Sequence, residues 1–123
     1  MSMSDLIERL EAAGIPIDDL AKSAMIDIDP GHFTDYDLEV FWHDRPIPFL
    51  FTGFGATRTI SAPHMIATLL HHLEINEGQD IMLIGSKGGY LAAIIDRMVG
   101  EEGTVTIVEP HDEVRFHLSL IHI

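Results

Sequence analysis

Two short β-rich runs, joined by a glycine turn and a helix-length segment, constrain this chain more than any other feature. Asp80-Ile-Met-Leu-Ile-Gly85 is a continuous apolar stretch, the pattern of a strand buried on both faces. Thr104-Val-Thr-Ile-Val-Glu109 is a second, β-branched strand. Between them Gly85-Ser-Lys-Gly-Gly89 makes a turn, Leu91 to Val99 reads as a helix that stops at Gly100, and Glu101-Glu-Gly turns the chain back. Strand, glycine turn, helix, strand is a βαβ unit, whose strands are expected to be parallel with a right-handed crossover. The fold class is therefore α/β.

Upstream the pattern changes to helical spacing. Ser4 is placed to cap a first helix ending near Ala13, with Leu6, Ile7 and Leu10 as its apolar stripe. A second helix starts near Pro16 and carries Leu20, Ala21, Ala24 and Met25. Residues 32–58 are rich in aromatics, Pro and Gly, and read as an ordered, loop-rich wrap with short extended pieces. A third helix runs from Ser61 to about Leu73, with Pro63 in its first turn and Met65, Ile66, Leu69, Leu70 and Leu73 at helical spacing. Spacing alone makes Ser61 its N-cap.

Composition narrows the partners. Against 7 basic residues stand 20 acidic ones, a formal charge of -13, and such a surface repels a phosphate backbone, so nucleic acid is not expected. No apolar run approaches a membrane span, no signal peptide opens the chain, and a cytoplasmic protein is expected. Without cysteine there are no disulfides, thiolate metal sites or cysteine nucleophiles. His71 and His72 point about 100° apart on a helix and complete no metal site.

In a βαβ unit the ligand lies at the carboxyl ends of the strands. The glycine turn lets a ligand approach the backbone, and Glu109, 20 residues after Gly89, can take both ribose hydroxyls of an adenosine. The dinucleotide pattern G-x-G-x-x-G fails, because Lys87 and Tyr90 occupy its second and third glycine positions. A tight turn with Glu109 as a solvated strand end remains the plain alternative.

Three stretches carry a resemblance. Trp42-His-Asp-Arg-Pro-Ile-Pro, Thr59-Ile-Ser-Ala-Pro-His-Met65 and Gly89-Tyr-Leu-Ala-Ala93 with the strand to Glu109 resemble, in order and spacing, the protein-L-isoaspartate O-methyltransferase family. The resemblance implies N-terminal helices plus the first βαβ unit of a Rossmann-like S-adenosylmethionine-dependent methyltransferase fold, incomplete here. Residues 1–58 would be the helical, loop-rich region and residues 59–117 the start of the methyltransferase domain. It implies methyl transfer to the isoaspartyl carboxylate of damaged proteins. Ser61 and Thr59 would be the catalytic pair, with Ile60 in the same loop, and Ser61 would position the carboxylate as a hydrogen-bond donor rather than as a nucleophile. Gly85, Ser86, Lys87, Gly88 and Gly89 would meet the cofactor's methionine end, and Glu109 its ribose. An isoaspartyl carboxylate is already ionised at neutral pH, so no general base or metal is required.

The sequence departs from the family at motif I, where Leu83 replaces an acid and Lys87 the middle glycine. S-adenosylmethionine is itself cationic, and a charge pair about 4 Å apart is worth up to roughly 4 kcal/mol at intermediate screening. Lys87 either pairs with the methionine carboxylate, or points to solvent, or marks a non-catalytic descendant with an anionic ligand. The loop before Ser61 is two residues longer than in the form it most resembles, and its Arg58 is either a substrate-carboxylate contact or a surface charge. The last six residues, Leu118 to Ile123, fit the family poorly and match a translated transposase adapter. They are expected to be foreign to it, and a chain with two strands of its sheet is expected to be unstable and inactive.

Overall fold

The computed structural model describes residues 1–52, 57–85 and 87–120, with Lys87 described through its backbone. Helices α1 (Met3–Ala12) and α2 (Asp19–Asp27) lead through a 3-10 turn at Pro30–His32 to the single-turn helix α3 (Glu39–Trp42). Strands β1 (Ile47–Phe51) and β2 (Thr57–Ile60) form an antiparallel hairpin, followed by α4 (Pro63–Leu73). Then come β3 (Asp80–Ile84), a 3-10 turn over Lys87–Gly89, α5 (Tyr90–Val99), β4 (Thr104–Val108) and α6 (Asp112–Ser119). β3 and β4 pair in parallel from Asp80 opposite Thr104 to Ile84 opposite Val108, as the βαβ pattern predicts.

One core draws on both halves of the chain. α5 lies at its centre, with Tyr90, Ile94, Ile95 and Val99 all 0 % exposed. Leu6 and Ile7 of α1, Met25 of α2, Ile66 and Leu70 of α4, and Val114 of α6 belong to the same cluster. Each such side chain contributes about 1.5–3 kcal/mol when fully buried. Exposed ion pairs join Lys22 to Glu11 at 3.0 Å and Arg97 to Asp27 at 2.8 Å. Pairs of that kind are worth about 0–1 kcal/mol, so apolar packing sets how the helices meet.

Residues 32–52 form the ordered wrap expected of so many aromatics. Phe33 and Phe41 are buried, with ring centroids 5.7 and 5.8 Å from that of Tyr90. The buried Thr34 hydroxyl donates to the Pro48 carbonyl at 2.7 Å and accepts from the Tyr36 backbone N–H at 3.1 Å. Within the wrap the structure adds the β1–β2 hairpin, which sequence periodicity missed. Its register shifts between Pro48 and Leu50, leaving Phe49 as the extra residue of a β-bulge.

Three expectations are corrected. The cap of α1 is Ser2, not Ser4: its hydroxyl accepts from the Asp5 N–H at 3.1 Å while the Asp5 carboxylate accepts from the Ser2 N–H at 3.2 Å. Donation to the Asp5 carboxylate from the Ser2 hydroxyl at 2.8 Å, and next from the Ser2 backbone N–H, holds the Asp5 carboxyl below its usual range. Ser61 does not cap α4, because the N-cap position falls on Ala62. The cap comes instead from Asp44, whose carboxylate accepts from the His64 N–H at 2.7 Å and meets the His64 ring nitrogen at 2.9 Å. Finally, β3 is not buried on both faces. Ile81, Leu83 and Val105 pack on the core, whereas Met82 and Ile84 are 63 % and 77 % exposed. A parallel strand is covered on both faces only when helices lie on both, and among the described residues packing covers one.

Of the tail at 118–123, residues 118 and 119 continue α6, and residues 121–123 lie outside the described residues.

Candidate functional site

The β3–β4 ladder ends where the glycine turn begins. The Gly85 N–H donates to the Val108 carbonyl at 2.8 Å, which sets Gly85 beside the first residue after β4, Glu109. Gly85 has φ +80, and a β-carbon placed on it would meet nothing within 4 Å. The backbone there is exposed and takes a conformation that suits glycine. A cleft of ≈ 610 Å³ opens at this point.

Its walls come from three separate segments. β3 and its turn give Ile84 and Gly85; the stretch after β4 gives Glu109, Pro110, His111 and Val114; the hairpin gives Phe49, Thr57, Arg58 and Thr59. Glu109 is half-buried and its carboxylate accepts from the His111 N–H at 3.0 Å. The His111 ring Nδ1 is buried with no hydrogen-bond partner among the described residues. The structure therefore brings together four sequence-predicted residues, Arg58, Thr59, Gly85 and Glu109, although they span 51 positions from first to last.

Other predicted residues lie elsewhere. Ile60 is 1 % exposed and serves the core. Ser61 is half-buried and lines a second, apolar pocket of ≈ 270 Å³ with Met65, Ile66, Leu69 and Leu91. Gly88 and Gly89 are buried, with φ +86 and +90. Ser86 lies outside the described residues, as do residues 53–56 of the lengthened loop. Leu83 packs on the core and does not line the main cleft, so apolar packing occupies the position where motif I usually carries an acid.

Sequence reasoning missed Phe49 and His111. No local signal marks a bulge residue as a wall of a cleft. His111 lies two positions beyond the predicted ribose acid, a proximity that could have prompted attention. Among the described residues no group of three or more His, Asp or Glu is arranged to hold a metal ion, and no helix is long and apolar enough to cross a membrane.

Comparison with known proteins gives a consistent result. The family model described as protein-L-isoaspartate(D-aspartate) O-methyltransferase matches residues 1–117. The protein-L-isoaspartate O-methyltransferase of Methanococcoides burtonii is 38% identical over 105 residues, covering 85% of this chain and 48% of its own length. That of Methanosarcina mazei is 35% identical over 105 residues, covering 85% and 40%. The chain thus spans less than half the length of these relatives. Among solved structures, a putative protein-L-isoaspartate O-methyltransferase from Plasmodium falciparum, in complex with S-adenosyl-L-homocysteine, superposes with a TM-score of 0.77 at 27% identity, over 97% of this chain and 54% of that one. Another protein-L-isoaspartate O-methyltransferase gives 0.79 at 24% identity over 95% of this chain and 38% of its own, a likeness of fold.

Proposed function

The chain belongs to the protein-L-isoaspartate(D-aspartate) O-methyltransferase family, and we propose that its main cleft is the S-adenosylmethionine side of a protein-repair methyl-transfer site acting on isoaspartyl carboxylates. The observation that carries this reading is the convergence of Gly85, Glu109 and the Thr57–Thr59 strand on one cleft at the carboxyl ends of β3 and β4. The residues fit the cofactor's chemistry. A carboxylate suits a pair of ribose hydroxyls, and an exposed glycine backbone suits close approach. When bound, S-adenosylmethionine supplies an activated methyl group.

The chain's own residues then bind and orient. Glu109 holds the ribose, and Gly85 with the Lys87–Gly89 turn faces the methionine end. Thr59 and Arg58, on β2, present the hairpin side of the cleft to the substrate carboxylate. Ser61, two residues after Thr59, acts as a hydrogen-bond donor, with Ile60 as the buried anchor between them. Because the carboxylate is ionised at neutral pH, alignment and exclusion of water are what the protein must provide. The partners of this reading are isoaspartyl-containing proteins, and its setting is the cytoplasm.

Calorimetric titration of S-adenosylmethionine into the intact protein tests the reading. Micromolar binding, weakened about tenfold or more by Glu109→Ala, is expected, since loss of a charged hydrogen-bonding partner costs roughly 1.5–3 kcal/mol. A well-folded protein that does not bind would refute it. A second reading rests on Leu83 and Lys87: a non-catalytic descendant that binds a different, anionic ligand. Restoring Leu83→Glu and Lys87→Gly separates the two, because a large gain in affinity identifies a decayed enzyme site and no gain a site rebuilt for another ligand.

A further inference from the structure

Phe49 has no role in the reading above, yet its surroundings are the most specific in the cleft. It is the unpaired residue of the β1 bulge, between Pro48 opposite Thr59 and Leu50 opposite Arg58. Its phenyl ring points inward with Ile47, two residues earlier on the same face, and is 6 % exposed, while Phe51 at the end of the same strand is 53 % exposed. One side of the ring lies against the glycine turn. A β-carbon built on Gly88 would stand 2.9 Å from Phe49 Cδ1 and 3.0 Å from Cγ, closer than real atoms pack. The ring also contacts His117 of α6, centroid to centroid 4.8 Å at 44°. Phe49 is thus wedged between the turn and α6 while also lining the cleft.

We infer that Phe49 is a positioning residue, which holds the Lys87–Gly89 turn against the hairpin and so fixes the spacing between the cofactor wall and the substrate wall of the cleft. The inference rests on the methyltransferase reading of that cleft. Gly88 is then required for two reasons, its positive φ and the ring that fills the place of a β-carbon. Only the second depends on Phe49. Position 88 therefore becomes more permissive when the ring is removed, whereas the conformational cost of a side chain at φ +86 stays.

The test is a set of variants of the intact protein: Phe49→Ala, Phe49→Leu, Gly88→Ala and the double Phe49→Ala/Gly88→Ala. Leu6→Ala serves as control, since Leu6 on α1 is as deeply buried but does not line the cleft. Affinity for S-adenosylhomocysteine is measured by calorimetry, and stability by urea denaturation. Phe49→Ala is expected to weaken binding roughly tenfold or more, because a misplaced wall about 1 Å out of position costs that much or more. Leu6→Ala is expected to lower stability comparably with affinity within about twofold, since remote sites act independently. Phe49→Leu, which keeps most of the bulk, should recover most of the affinity. Gly88→Ala should be damaging alone and should cost less in the Phe49→Ala background than in the unsubstituted protein, keeping only the conformational part of its cost. Unchanged affinity in Phe49→Ala, or additive effects of the two substitutions, would overturn the inference while leaving the methyltransferase reading intact. No binding by the unsubstituted protein would overturn that reading and this role together.

Discussion

α5 and β3 are both apolar and nearly adjoin in the chain, but they live in opposite environments. Seven of the ten residues of α5 are buried. β3 alternates, with Ile81 and Leu83 on the core and Met82 and Ile84 facing out. An apolar run thus has two different physical meanings within a few residues. In α5 it is packing that holds the fold together. On the outer face of β3 it is surface that contributes nothing to the core as it stands. The difference locates stability on one side of the sheet, around Tyr90, Ile94 and Met25, and leaves the other side to be covered or tolerated.

The largest expected effect tests that contrast directly. Ile94→Ala, at a site that is 0 % exposed, should cost about 2–5 kcal/mol. Ile84→Ala, the same chemical change at a site 77 % exposed, should stay within about 0.5 kcal/mol. Urea denaturation of both variants measures the gap, and equal losses would mean that the outer face is packed in solution. Next in size, Asp44→Ala should cost about 1–2 kcal/mol by uncapping α4, and circular dichroism should locate the lost helicity there. A cost within error would place the cap elsewhere.

Tyr90→Phe sharpens the picture of the core with the opposite sign. The hydroxyl is buried without a partner among the described residues, and burial first, with the Asp29 charge second, raises its pKa. Removing it should leave stability unchanged or improve it by about 1 kcal/mol, since an unsatisfied polar group is what is lost. A clear loss in thermal denaturation would reveal a hydrogen bond. The smallest effect concerns the exposed N-terminus. The Asp5 carboxyl has a lowered pKa in the folded state, so its contribution is present above the unfolded-state pKa and disappears as pH falls through the folded value. Ser2→Ala should therefore lower the melting temperature more at neutral pH than in strong acid, where only the loss of its own bond from the Asp5 N–H remains.

The βαβ unit was legible in the sequence because its signals are local. β-Branched runs, a glycine turn and a helix-length segment each announce themselves within about ten residues. The same locality explains the misses. Ser2 and Ser4 are both cap residues, and only the acid three positions on, Asp5, selects the first. The β1–β2 hairpin escaped because Ile47-Pro-Phe-Leu-Phe51 is apolar throughout and holds a proline, so it shows none of the apolar–polar alternation that marks a strand. Ser61 looked like a cap because Asp44, 20 residues before the His64 amide it caps, cannot be seen as its competitor without a structure. The site divides along the same line. The spacing of Gly85 and Glu109 could be read, whereas the approach of Phe49 and the orphaned His111 nitrogen could not, since both depend on how distant segments meet.

The Asp44 cap has a consequence for how the chain folds. α4 begins at Ala62 and Pro63, neither of which supplies a side-chain acceptor, so an isolated α4 would fray at its start. Its first turn is completed only when a loop of 20 residues closes and delivers the carboxylate. Helix and hairpin should then form in the same kinetic step rather than in sequence. In a transition-state map, substitutions at Asp44 and within the hairpin should affect the folding rate to a similar fractional extent, and the N-terminal amides of α4 should exchange with solvent at the rate at which the hairpin opens.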